Sequence, residues 1–187
     1  MVFKSILTAL CTVVMISLPS GVRADEWAEN RASGLLGQLA QAEDEAIAAR
    51  LETQIVAQWS RSGSPAMDLL LKRGRDALAV SDTAAAIEHF RALTDHAPDF
   101  AEGWQGLALA YFQADKYGVA LDALERTLAL NPNHFGALRG LGAIHEQIGN
   151  AGLAYAAFAR VLDLRPHDQD VINAMARLEH DVKGVTL

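Results

Sequence analysis

Cysteine is all but missing from this chain: among 187 residues there is one, Cys11. Leu10 precedes it where a lipid-acceptor cysteine follows a small residue, so we reject a lipoprotein reading. With no second thiol, disulfide staples are excluded, and no thiol is available downstream for catalysis. The fold must rest on its apolar core. Long apolar runs are missing too. The one candidate, residues 6–18, is about 13 long, short of the roughly 20 that cross a bilayer. Lys4 precedes it, and Val22 and Ala24 supply small residues after it. This is the pattern of a secretory leader, residues 1–24, cut after Ala24; an uncleaved anchor is the alternative. The expectation is a periplasmic or secreted protein with no membrane span once the leader is gone. Basic residues are in the minority, 16 against 23 acidic, for a net charge of −7. Loss of Lys4 and Arg23 with the leader deepens that charge by two. Such a chain repels phosphate backbones, so no nucleic-acid partner is expected.

Proline is sparse, five in all, and three of the five (Pro98, Pro132 and Pro166) stand 34 residues apart. A fixed period of this size signals stacked repeats. Units 67–100, 101–134 and 135–168 align. Position 4 holds Leu70, Trp104 and Leu138; position 8 holds Gly74, Ala108 and Gly142; position 20 is always alanine (Ala86, Ala120, Ala154); position 24 holds Phe90, Leu124 and Phe158. Positions 4, 7, 8 and 11 form one stripe of a helix, and 20, 24 and 27 a stripe on a second. Small residues at 8 and 20 allow close approach, and large ones at 4, 11 and 24 fill the space around the crossing. Turn-prone pairs separate the stripes: Ser81-Asp82, Asp115-Lys116 and Gly149-Asn150. The proline then ends the second helix. Each unit is predicted to be a helical hairpin.

This pattern resembles the tetratricopeptide repeat, three times in register. Departures are Arg73 at position 7, His145 at position 11, and Leu93, Thr127 and Val161 at a usually small position 27. The resemblance implies an all-α, right-handed superhelical solenoid of helix-turn-helix repeats. Residues 169–183 read as a capping helix, with Val171, Ile172, Met175 and Leu178 as its apolar stripe. Upstream, residues 34–62 carry a helical stripe through Leu39, Ile47, Leu51, Ile55 and Trp59. That segment is one helix, or a degenerate hairpin bent near 41–46, expected to pack on the first repeat. Residues 25–33 read as a polar, mobile leader.

Catalytic motifs are lacking: there is no Gly-x-Ser-x-Gly, no His-Glu-x-x-His and no phosphate-cradling glycine loop. Gly136, Gly140 and Gly142 cluster, but no strand precedes them. A non-enzyme without cofactor is expected. His96, His134 and His167 lie near the prolines at different unit positions. Zinc ligands converge to about 2 Å on one point, whereas neighbouring repeats stand roughly 10 Å apart. No metal site is expected, and these histidines are read as solvated turn residues.

What remains is a surface. The resemblance implies that first helices line a concave groove. Carried over by position, it offers Leu71 and Arg75 from the first unit, and Gln105, Leu109, Phe112 and Gln113, with Glu102, from the second. The third gives Arg139 and Glu146, and the capping helix Asn173 and Arg177. Leu109 and Phe112, one turn apart, form an apolar anchor; alternatively Phe112 packs under the amino-terminal helix. Arg75, Arg139 and Arg177 offer three cations. That mixture suits a peptide with an apolar side chain and an acidic group. Relatives that grip chaperone tails use lysines and asparagines where this chain has Leu71, Gly106, Gly136 and Gly140, so that activity is not supported. The function implied is a non-enzymatic protein-interaction adaptor of the cell envelope, acting in envelope assembly or cofactor-protein maturation. The competing reading is a homodimer formed through Ile47, Leu51, Ile55 and Trp59. Mass spectrometry of the exported protein should find Asp25 at its amino terminus; retention of Met1 there would sink the leader reading.

Overall fold

The computed structural model describes residues 24–184. Among these, nine helices and no strand are present: α1 (Ala24–Ala40), α2 (Glu45–Trp59), α3 (Pro65–Ala79), α4 (Thr83–His96), α5 (Ala101–Gln113), α6 (Tyr117–Leu130), α7 (Phe135–Gln147), α8 (Ala151–Leu164) and α9 (Gln169–Gly184). The pairs α3–α4, α5–α6 and α7–α8 stack as three hairpins of a helical solenoid, and α9 packs on α8. The expected leader falls outside the described residues apart from Ala24, the first residue of α1.

The repeat pattern acts through one packing device. The position 24 side chain of each hairpin is buried, as Phe90, Leu124 and Phe158. A Cβ on Gly74, at position 8 of the same unit, would stand 2.6 Å from the Phe90 ring, and one on Gly106, in the next unit, 2.2 Å from it. Phe90 is therefore wedged between two helix backbones. Gly142 meets Phe158 in the same way, at 2.3 Å. In the middle unit the wedge is the smaller Leu124, and position 8 is correspondingly the larger Ala108, in the same core cluster. A wedge of this kind stabilises by about 2–3 kcal/mol through burial alone. Position 27 is fully buried in all three units, and the hydroxyl of Thr127 is satisfied by the Ala123 carbonyl at 2.9 Å.

Turns inside the hairpins are equally regular. Position 15 is left-handed each time: Ser81 (φ 60°), Asp115 (φ 55°) and Gly149 (φ 80°). The N–H of the following residue closes back on the first helix, as Asp82 N to Ala77 O at 2.9 Å, which satisfies carbonyls that the helix end leaves open. Position 34 is the N-cap of the next helix. His134 Nδ1 accepts from Ala137 N at 3.1 Å, and Asp168 Oδ1 accepts from Val171 N at 3.2 Å.

Upstream, two expectations are corrected. Residues 25–33 belong to α1 and are not a separate leader. Residues 34–62 hold a bend, and α1–α2 form a hairpin around it, with Asp44 capping α2 through Ile47 N at 2.8 Å. The apolar core of this hairpin does not lie on the first repeat, which it meets through the Arg75–Ser60 hydrogen bond. Its core of Leu39, Ala48 and Ile55 includes Phe135 and borders Leu164, so it lies on the third repeat. The physical reason is the residue at position 1. Units one and two offer Met67 and Ala101 there; only Phe135 gives Ile55 and Trp59 an aromatic floor. Gly106→Ala should destabilise the chain by about 1–3 kcal/mol, because the added methyl overpacks a ring that cannot retreat. Adding Phe90→Leu should recover most of that loss in thermal melts; strictly additive effects would reject the wedge.

Candidate functional site

An open cavity of about 360 Å³ lies on the concave face between α5 and α7. Gln105, Leu109 and Phe112 form one wall, Arg139 and Ala143 the other, and Glu52 of α2 closes one end. Leu109 is 41% exposed. Phe112 is half-buried and tilts against Tyr117, with ring centroids 5.7 Å apart. The periodicity of α5 produces this wall: Gln105, Leu109 and Phe112 recur at i, i+4 and i+7, opposite the small residues that face α4 and α6.

Two chains of polar contacts run beneath the amino-terminal hairpin. In one, Arg75 donates to Ser60 Oγ at 2.8 Å and to the carboxylate of Glu102. Glu102 Oε1 in turn lies 2.9 Å from His134 Nε2. Because His134 Nδ1 accepts from Ala137 N, the ring hydrogen sits on Nε2 and is donated to Glu102. Trp59 stacks on this histidine at 4.7 Å. In the other chain, Arg165 pairs with Glu52 and, at 2.7 Å, with Asp168. Asp168 also accepts from Arg139 at 2.7 Å. The Arg165 guanidinium lies over the Phe135 ring, 5.3 Å from its centroid. Burial raises the Glu52 carboxyl above its ordinary 4.5, with Arg165 opposing the shift.

The residues expected from sequence separate into three groups. Gln105, Leu109, Phe112 and Arg139 come together at the cavity. Leu71 does not: it is 2% exposed, inside the first repeat's core. Gln113 is exposed at the end of α5 but does not line the cavity. Asn173 is exposed on α9, where its Oδ1 accepts from Gln169 at 3.2 Å. Glu146 and Arg177 pair with each other at 3.0 Å. The three arginines are thus not free cations, since each holds a carboxylate of its own chain. Glu102 is buried, not groove-facing.

The histidine expectation is also corrected. His134 is 4% exposed. His167 is half-buried and donates to the Ala42 carbonyl at 2.8 Å, while His96 alone of the three is exposed. Glu52, Phe135, Arg165 and Asp168 escaped the sequence reading as site residues, and Trp59 entered it only as a homodimer contact. For Asp168 a signal existed: it shares position 34 with His134, directly before a helix. Among the described residues no cluster of three or more metal-ligating side chains is found. No helix among them is long and apolar enough to cross a membrane.

Family models for the tetratricopeptide repeat (TPR) match residues 71–122 and 107–179. A TPR repeat-containing protein of Rhizobium etli is 31% identical over 151 residues, covering 79% of this chain and 74% of its own length. The chain belongs to the tetratricopeptide repeat family. Among solved structures, the first TPR domain of Spaghetti (RPAP3), bound to an HSP90 peptide, superposes with a TM-score of 0.61 at 22% identity, covering 63% of this chain and 93% of that one. The MamA protein gives 0.59 at 21% identity, covering 84% and 83%. At these identities the likeness is one of fold.

The Glu52 shift sets a pH test. The folded state holds the Glu52 proton more tightly than the unfolded chain, so its contribution is fully present below 4.5 and is lost as pH rises through the raised value. Glu52→Gln should therefore match the parent at pH 4 and melt no lower at pH 7. Arg165→Ala, which leaves Glu52 without its partner and Asp168 with Arg139 alone among cations, should cost about 3 kcal/mol at pH 7. A Glu52→Gln melt at pH 7 as depressed as that of Arg165→Ala would show the ion pair outweighing burial.

Proposed function

We propose that this chain is a non-enzymatic adaptor that binds a segment of another protein on its concave face, with the cavity between α5 and α7 as the anchor pocket. The observation that carries this reading is an apolar recess of about 360 Å³ with Leu109 41% exposed on its wall. Exposed apolar side chains gathered in a concavity mark binding sites more often than chance exposure does. Gln105 at the wall adds an amide that can meet a peptide backbone. The Spaghetti domain that superposes on this chain is bound to an HSP90 peptide, which supports the peptide-binding reading for the fold. The same ligand does not follow. Leu71 is buried and Gly106 lies under Phe90, so no cationic clamp for a tail carboxylate forms there.

Since Arg75, Arg139 and Arg177 are spent on internal carboxylates, the anchor is apolar and not a paired apolar-and-acidic one. The chemistry is non-covalent and takes no cofactor. The leader pattern of residues 1–24 supports a setting in the cell envelope or outside the cell. The competing homodimer has less to act with, because Ile55 is fully buried within the chain and Trp59 is stacked on His134.

Peptides selected by display on the immobilised chain test the pocket. Leu109→Glu should weaken their binding at least tenfold with helical circular dichroism unchanged, because it replaces the apolar side chain of the wall with a charge that an apolar anchor cannot desolvate cheaply. Equal binding by the parent and the variant would place the site elsewhere.

A further inference from the structure

The two helices of a hairpin run in opposite directions, so the array has two edges. One edge carries the joints between repeats, and there the amino-terminal hairpin packs on Phe135 and His167 bonds to Ala42. The other carries the hairpin tips, positions 14 to 19 of each unit. Among the described residues seven large apolar side chains are exposed, and four of them stand at these tips. Val80 and Ile148 occupy position 14, and Val119 and Leu153 position 19; Val80 is 75% exposed and Leu153 57%. A lone exposed apolar residue needs no explanation, but four recurring in register on one edge form a patch.

The same edge carries glycines that the chain does not itself require. At Gly74, Gly106 and Gly142 a ring stands where a Cβ would be. Gly118 and Gly152, at position 18, lie in the first turns of α6 and α8, and a Cβ on either would meet nothing within 4 Å. Alanine is the better helix former, and the first unit has Ala84 at this position. Bare backbone beside a large exposed neighbour gives the second and third tips a hollow next to a knob. An isologous contact needs such a self-complementary surface.

Charge selects the arrangement. Within positions 14 to 19 the charged residues are Asp82, Asp115 and Lys116. A two-fold axis at the middle tip sets the first tip of one copy against the third of the other. Lys116 of each copy then faces Asp115 of the other, and Asp82 faces the neutral Asn150. Rows aligned in the same direction would set Asp82 against Asp82. We propose that the hairpin-tip edge is the contact between two antiparallel copies of this chain. With hairpins roughly 10 Å apart, the tips present a face roughly 30 Å long and 20 Å wide, about 600 Å² per copy. Standard interfaces bury about 800 Å² per partner, so this dimer forms reversibly with concentration. The proposal does not rest on the groove reading.

Sedimentation velocity of the protein over roughly three decades of concentration reads the monomer–dimer equilibrium. Val80→Lys and Leu153→Glu test the register. Each charge suits its helix end, the cation at the close of α3 and the anion in the first turn of α8, so folding is preserved. Either change alone should weaken dimerisation by about tenfold or more with helical circular dichroism unchanged, because a charge then meets an apolar side chain across the axis. The double variant V80K/L153E should recover to within about threefold of the parent, since the two introduced charges are opposite and meet across the axis. A parent that stays monomeric throughout overturns the proposal and leaves the tips to a partner of another kind. A dimer that survives both single changes overturns it too, and one lost on Ile47→Glu instead places self-association on α2. Loss in both single variants without recovery in the double overturns the antiparallel arrangement.

Discussion

The architecture depends on one steric exchange: a large side chain at position 24 enters where two neighbouring helices carry no more than a methyl group. Phe90 sits between Gly74 and Gly106, and its ring touches the space where both Cβ atoms would be. Close helix approach fixes the angle between hairpins, and that angle decides how residues on α5 and α7 face each other. The exchange is size-matched within the chain. Where the wedge is phenylalanine, position 8 is glycine; where it is leucine, position 8 is alanine. Protein interiors pack at crystal-like density, so such a match is what lets non-identical repeats stack without voids or strain. The recess between α5 and α7 is a by-product of that spacing: Gly140 yields to Leu124 on one side and opens the wall on the other.

Electrostatics enters as internal stapling. The acidic chain places Arg75, Arg139 and Arg165 against buried or half-buried carboxylates, and each pair joins elements distant in sequence. Asp168 serves three ends at once: it caps α9, receives Arg139 from α7 and pairs with Arg165. Buried pairs of this kind contribute little net stability over apolar substitutes. Their effect is geometric, since a bonded carboxylate with two guanidinium partners has few alternative positions. Position 34 thereby combines two tasks, starting the next helix and fixing how the amino-terminal hairpin meets the array.

Much of the fold was legible because its determinants are local and periodic. Three prolines at one interval, alanine at every position 20 and a turn-prone pair between stripes give the hairpins their limits. The left-handed residues Ser81, Asp115 and Gly149 stand where those pairs were seen. The cavity wall was partly legible for the same reason, as Gln105, Leu109 and Phe112 share one helix face. The rest was not, because it is set by contacts between distant parts of the chain. Nothing local to Ile55 and Trp59 specifies Phe135 as their floor, and nothing near Arg139 specifies Asp168. Groove positions carried over from the family do not foresee an amino-terminal hairpin, which here packs on Phe135 and Leu164 and sends Glu52 to the edge of the cavity. His134 misled for a simpler reason. Turn residues are usually solvated, but a residue that starts a helix beneath another element is not a surface residue.

The hydrogen bond from His167 to the Ala42 carbonyl spans 125 positions in the chain. Stacked repeats ordinarily behave as a line of neighbours: each unit senses only the next, and melting frays inward from free ends. Here the segment before the first repeat is fastened to the last turn of the third. The line is bent back on itself, so the leading hairpin and the third repeat share an interface that an open array lacks. Closing so long a loop slows folding relative to an open array, and it couples the leading hairpin to the third repeat across the two between them in the chain.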